Sequence, residues 1–184
     1  MDLAGLRALI RDVPDFPAPG IVFKDLTPLQ ADPDAFATLI ELLAAAAEPA
    51  SPEIIVGIEA RGFVLAAPVA VALGAGFVPA RKEGKLPSQT HAQDYVLEYA
   101  TATLEIPRDG LAGRRVVVID DVLATGGTMA AAAALVQRAG GQVQQVLCAL
   151  ELEALGGRAR LLDHDVRSIL QHPAADDRRA EAQD

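Results

Sequence analysis

Cysteine occurs once in this 184-residue chain, lysine three times and histidine three times, and each scarcity removes a class of explanation. The lone Cys148 sits in the apolar run VLCAL, which leaves no disulfide framework and no CxxC metal spacing and fits a reducing, cytoplasmic setting. His91, His164 and His172 are scattered without ligand spacing, so no protein-held metal and no serine-histidine-acid arrangement is expected. Positive charge is short as well. A net charge of −9 leaves no basic stripe to neutralise phosphates, which argues against a nucleic-acid surface. The one long uncharged run, Gly62 to Ala80, is broken by Pro68, Gly74, Gly76 and Pro79 into a helix, FVLAAPVAVALG, and a strand, GFVPA, rather than a membrane span. The start, MDLAGLRALIRDVP, lacks the basic opening and apolar stretch of a secretory signal.

What is present suits a buried core. With 51% hydrophobic residues, positions 1–184 are expected to form one domain. An amphipathic segment from Asp2 to Arg11 leads into the irregular PDFPAPG. A helix is predicted over about Pro33–Ala47, with Asp32 as N-cap and Pro33 in the first helical position. EIIVGIE reads as a buried strand, RGFVLAAPVAVALG as a helix and GFVPARK as a strand; the polar EGKLPSQTHAQD reads as a loop, and YVLEY with ATLEI as a hairpin. RRVVVIDD is a buried strand, about Gly127–Arg138 a helix, QVQQVLCALE a strand and HDVRSILQ the last strand. The tail from 173 to 184 is expected to fray. This alternation predicts an α/β fold with a central parallel sheet flanked by helices. Arginine, with 13 copies, is the default cation, so Lys24, Lys82 and Lys85 stand out as position-specific.

VVVIDDVLATGGT, Val116 to Thr128, carries the most chemistry. Two carboxylates at the carboxyl end of a parallel strand stand where open α/β sheets bind ligands. Asp120 and Asp121 can accept hydrogen bonds from a pair of sugar hydroxyls. Ala124, Thr125, Gly126, Gly127 and Thr128 lead into a helix amino terminus, whose free N–H groups suit a phosphate. Diol plus phosphate describes a ribose 5-phosphate. The stretch lacks the lysine of a Walker A loop, and no GxGxxG follows a strand, which removes nucleoside triphosphate and dinucleotide folds.

VVVIDDVLATGGT resembles the phosphoribosyl pyrophosphate signature of type I phosphoribosyltransferases. The resemblance extends from about Pro14 to Leu152 through FPAPGIVFKD, EARGFVLAAPVA, RKEGKLP and YVLEYATATLEI, in order and at that family's spacing. It implies a small amino-terminal hood (about 1–35) holding the base, and a mobile catalytic hairpin loop. By this resemblance Asp120 and Asp121 hold the ribose hydroxyls and Ala124 to Thr128 the 5-phosphate. Glu59, Ala60 and Arg61 form a pyrophosphate loop, with a cis peptide between Glu59 and Ala60. Arg81, Lys82 and Lys85 form a pyrophosphate and dimer-contact cluster. Glu98 matches the acid/base glutamate and Tyr99 the tyrosine beside it; Ala100 stands where the family has glycine.

The resemblance also bears on the base. Relatives acting on 6-oxopurines carry an aspartate at the position of Ala124, so alanine points to a 6-aminopurine. Adenine would lie against Ile21, Val22, Phe23 and Lys24, with Lys24 replacing the commoner arginine. The reaction implied is adenine plus phosphoribosyl pyrophosphate to AMP plus pyrophosphate, with Mg²⁺ bound chiefly by substrate oxygens and a homodimer as the assembly. A sister transferase for xanthine or another base, and a non-catalytic purine-responsive regulator, are the competing readings.

Overall fold

The computed structural model describes residues 1–96 and 101–173. The chain divides into two compact units, Met1–Leu42 and Leu43–Asp184.

In the first unit, α1 (Leu3–Ala8) starts at Asp2, whose Oδ1 accepts the Gly5 N–H at 2.8 Å. Strands β1 (Arg11–Pro14) and β2 (Val22–Asp25) then pair antiparallel, with Arg11 opposite Asp25 and Asp12 opposite Lys24. The sequence reading runs straight from a helical segment into a loop and misses β1. Its strand character comes from the cross-strand charge pairs Arg11–Asp25 and Lys24–Asp12, and so lies in the partner strand rather than in a local pattern. The Thr27 backbone N–H, then Arg11, hold the Asp25 carboxyl down at about 2. Helices α2 (Thr27–Ala31) and α3 (Pro33–Ala47) follow. Asp32 caps α3 as expected, its Oδ1 accepting from Asp34 N at 3.1 Å and Ala35 N at 2.9 Å.

The second unit is built on a seven-stranded sheet in the order β5-β6-β4-β3-β7-β8-β9. The strands are β3 (Ile54–Ile58), β4 (Gly76–Lys82), β5 (Thr90–Val96), β6 (Thr101–Pro107), β7 (Arg115–Leu123), β8 (Gln142–Leu152) and β9 (Val166–His172). β4, β3, β7, β8 and β9 run parallel, whereas β5 and β6 form an antiparallel hairpin joined to β4 through β6. Helix α4 (Arg61–Leu73) ends in the left-handed Gly74, and α5 is Gly127–Arg138. The central strand β3, and the apolar stretches of β7 and β8, are buried runs because α4 packs on β3 and β7 and α5 on β7 and β8. Val56, Ile58, Val116, Val118, Leu135, Val136 and Val146 belong to one fully buried cluster.

The start of β5 also differs from expectation. Thr90–Asp94, read as loop, is strand β5. Polar bonds hold this edge strand: Thr103 Oγ1 donates to Asp94 Oδ1 at 2.8 Å, and Arg138 of α5 donates to Ala92 O at 2.6 Å and Gln93 Oε1 at 2.8 Å. No hydrophobic alternation therefore marks it. The fraying expected of the tail falls outside the described residues from position 174 onward.

Candidate active site

Strand β7 is unequally supported. Its pairing with β3 stops at Ile119, whereas its pairing with β8 continues to Leu123. Asp120 and Asp121 therefore lie inside the strand, which runs on to Leu123, rather than forming its last two residues. The β8 ladder satisfies the backbone there, so the strand continues through two acids that mark its end in the sequence reading.

Side chains alternate along a strand, yet both carboxyls remain at the start of α4, Asp121 beside Arg61 and Asp120 against Gly62. Asp120 is half-buried; its Oδ1 accepts the Asp121 N–H at 2.9 Å and lies against the start of α4, where a Cβ on Gly62 would come within 2.8 Å of it. Asp121 is only 3% exposed. Arg61 Nε lies 2.7 Å from its Oδ2, yet that oxygen accepts no aligned hydrogen bond among the described residues. Burial pushes the Asp120 carboxyl well above the usual carboxylate range, and the charge of Asp121 adds to this. Asp121 is raised by burial too, with Arg61 opposing. A half-buried carboxyl beside a buried one that has an unaligned oxygen is costly unless a ligand supplies donors.

Beyond β7 the chain turns through Ala124 and Thr125 to Gly126, whose φ of 80° favours glycine. Helix α5 then starts without a side-chain cap, so the N–H groups of its first turn are available to an anion. Tyr95 lies at the turn end of the β5–β6 pair, opposite Ala102. Burial, ahead of the nearby Asp120 charge, raises its phenol, while the Thr128 side chain acts to lower its pKa.

The pyrophosphate candidates gather around Glu59. The Glu59–Ala60 peptide is cis, as the resemblance implied. Glu59 Oε2 accepts from Arg81 Nε at 3.1 Å and from the Lys82 N–H at 3.0 Å, while Arg81 Nη1 donates to Lys85 O at 3.0 Å. Burial works to raise the Glu59 pKa, but Arg81 and the Lys82 amide outweigh it and lower it. The Lys82 and Lys85 ammonium groups, both on exposed residues, have no carboxylate within 4 Å among the described residues. Arg81 is thus a buttress of the loop, and the two lysines carry its accessible charge.

The structure brings Glu59, Ala60, Arg61, Arg81, Lys82, Lys85, Asp120, Asp121 and Ala124–Thr128 into one unit. Ile21, Val22, Phe23 and Lys24 belong to the other unit. There Phe23 meets Phe16 edge to face at 5.2 Å, and Lys24 Nζ contacts both Asp12 oxygens at 2.7 and 2.8 Å, which commits its charge to Asp12. Glu98, Tyr99 and Ala100 lie outside the described residues. The sequence reading assigned no role to Tyr95, Glu151, Gly157 or Arg158; the GGR step after the eighth strand was the available signal.

The family model for the phosphoribosyl transferase domain matches residues 27–177. An adenine phosphoribosyltransferase of Acidothermus cellulolyticus is 54% identical, over 90% of this chain and 94% of that protein. The crystal structure of the enzyme of that name from Thermoanaerobacter pseudethanolicus superposes with a TM-score of 0.90 at 48% identity, covering 93% of this chain and 100% of the other. That of Saccharomyces cerevisiae, complexed with an imino-altritol bisphosphate and adenine, gives 0.86 at 37% identity, covering 91% and 97%. The chain belongs to the phosphoribosyltransferase family, and within it to the adenine phosphoribosyltransferases.

Proposed function

We propose that the chain transfers the 5-phosphoribosyl group of phosphoribosyl pyrophosphate to adenine, giving AMP and pyrophosphate, a purine-salvage reaction. The observation that carries this reading is the Asp120–Asp121 pair followed by an uncapped, glycine-rich helix start, which together match a ribose diol and its 5-phosphate. The adenine held by the yeast relative supports the choice of base.

In the reaction a purine nitrogen forms a bond to ribose C1, the C1–oxygen bond to pyrophosphate breaks, and its electron pair leaves with the pyrophosphate. Positive charge grows on the sugar, so the ionised Asp120 and Asp121 favour it as well as orienting it. Arg61, Lys82 and Lys85 offset the charge of the departing pyrophosphate. Glu98 takes the purine proton, with Tyr99 beside it. Ile21, Val22, Phe23 and Lys24 form the base-binding segment, Lys24 through its main chain because its ammonium is paired with Asp12. Asp121 Oδ2 already faces Arg61 Nε at 2.7 Å, and among the described residues no group of three His, Cys, Asp or Glu could hold a metal, so Mg²⁺ would arrive with the substrate. When bound to substrate oxygens it stabilises the leaving pyrophosphate. No described helix is long and apolar enough to cross a membrane; a cytoplasmic setting rests on the single buried cysteine.

Base choice tests this reading. Because Ala124 replaces a carboxylate, kcat/KM for adenine exceeds that for hypoxanthine by at least ~10², a margin that hydrogen-bond pattern can supply. Comparable rates across adenine, hypoxanthine, guanine and xanthine would overturn the adenine assignment.

The homodimer is supported by α4, where Val64, Pro68 and Val71 recur at i, i+4 and i+7 and Val71 is 83% exposed. Val71→Asp is expected to shift the sedimentation coefficient from dimer to monomer. An unchanged dimer would remove this stripe from the interface.

A further inference from the structure

Glu151 is a buried carboxylate near the end of β8, 4% exposed, and no step of the reaction uses it. Arg158 Nε donates to its Oε1 at 2.6 Å and Nη2 to its Oε2 at 2.7 Å, while Ser168 Oγ donates to Oε2 at 2.7 Å. Arg158 Nη1 also donates to Val166 O at 2.8 Å and Nη2 to Ser168 Oγ at 3.4 Å. A forked guanidinium with four bonds to two strands leaves its own backbone little freedom. The residue so fixed follows Gly157, in the short helical turn Gly157–Arg160.

Gly157 lies directly on the loop between β7 and α5. A Cβ on Gly157 would overlap Ala124 O and approach Gly126 N to 3.0 Å; one on Gly126 would overlap Gly157 O. Two glycine backbones are thus in contact with no room for a side chain. This contact sets direction as well as distance. In a trans peptide the N–H points opposite to the C=O, so with the Ala124 carbonyl seated at Gly157 the Thr125 N–H points away from it. A phosphate held by main-chain amides depends on that orientation.

We propose that Gly157, anchored by the Arg158–Glu151–Ser168 bonds, is a positioning residue for the 5-phosphate, acting through the peptide planes of Ala124 to Gly126. This rests on the reading of Ala124–Thr128 as the phosphate loop. It separates two anion sites: the 5-phosphate site depends on the Gly157 turn, and the pyrophosphate site around Glu59 and Arg61 does not.

The test is calorimetric binding of AMP, phosphoribosyl pyrophosphate with Mg²⁺, and pyrophosphate with Mg²⁺ to the full chain carrying Gly157→Ala, Arg158→Lys or Glu151→Gln, with a melting curve for each. A displacement of a fraction of an ångström to an ångström in a positioned group is expected to weaken AMP and phosphoribosyl pyrophosphate by roughly 10- to 100-fold while pyrophosphate affinity stays within about twofold. Arg158→Lys keeps the charge and the fold and loses the fork, so it supplies the answer if Gly157→Ala does not fold. Unchanged AMP affinity in the folded variants overturns the proposal, as does an equal loss for AMP and pyrophosphate that follows a lowered Tm. Thr128→Ala, measured in parallel, separates the two readings. If it weakens AMP and the Gly157 turn variants do not, only the positioning role fails; if it leaves AMP affinity intact, the phosphate-loop reading fails and the proposal with it.

Discussion

Replacing both Asp120 and Asp121 by asparagine is expected to lower kcat/KM for phosphoribosyl pyrophosphate by ~10² to 10⁴, since two charge-assisted hydrogen bonds of roughly 1.5 to 3 kcal/mol each are lost. The unliganded protein should lose no stability at neutral pH, and its Tm should rise. The raised Asp120 pKa means that the ionised carboxylate is penalised in the folded state. This penalty is fully present above the folded-state pKa and fades as pH falls through it toward the ordinary value of 3.8. The stability gained by the variant should therefore shrink on acidification. Substrate affinity of the wild type moves the other way. The sugar hydroxyls and the metal-bearing substrate need ionised carboxylates, so binding of phosphoribosyl pyrophosphate weakens as pH falls below the Asp120 pKa. Calorimetry across pH checks both trends. A variant that melts lower and binds normally would make the pair structural.

Glu98→Gln is expected to reduce kcat by ~10² to 10⁴ while leaving the Kd for adenine near that of the wild type, because glutamine is nearly isosteric but cannot take the proton. Single-turnover rates and adenine affinity must be measured together. A glutamate that merely shapes the hairpin would give the reverse result: altered affinity or stability with kcat largely intact.

Legibility in the sequence followed how local each cause is. Asp32, Pro33 and the apolar period of α3 act within a few residues, and that helix begins where it was expected. The apolar runs of β3, β7 and β8 reflect burial on both faces, which composition alone conveys. Strand β1 was missed, and Thr90–Asp94 of β5 read as loop, because their stabilising partners, Asp25 and Lys24 for one and Thr103 and Arg138 for the other, lie on other elements. Asp120 and Asp121 were recognised as ligand groups but taken as the last residues of the strand, since nothing local shows that β8 outlasts β3 along β7. Glu151 and Arg158 look like surface charges in sequence; only the fold closes them over Gly157. Lys24 was marked as unusual for its position, and its pairing with Asp12 depends on the register of the β1–β2 hairpin.

The most direct measurement is product stoichiometry: purified chain is mixed with adenine, phosphoribosyl pyrophosphate and Mg²⁺, and AMP and pyrophosphate are quantified over time. Equal amounts of both, formed over many turnovers and dependent on Asp121 and Glu98, are the expected result. Tight binding of phosphoribosyl pyrophosphate without AMP formation would contradict the enzymatic function and make the chain a binding protein of the same fold.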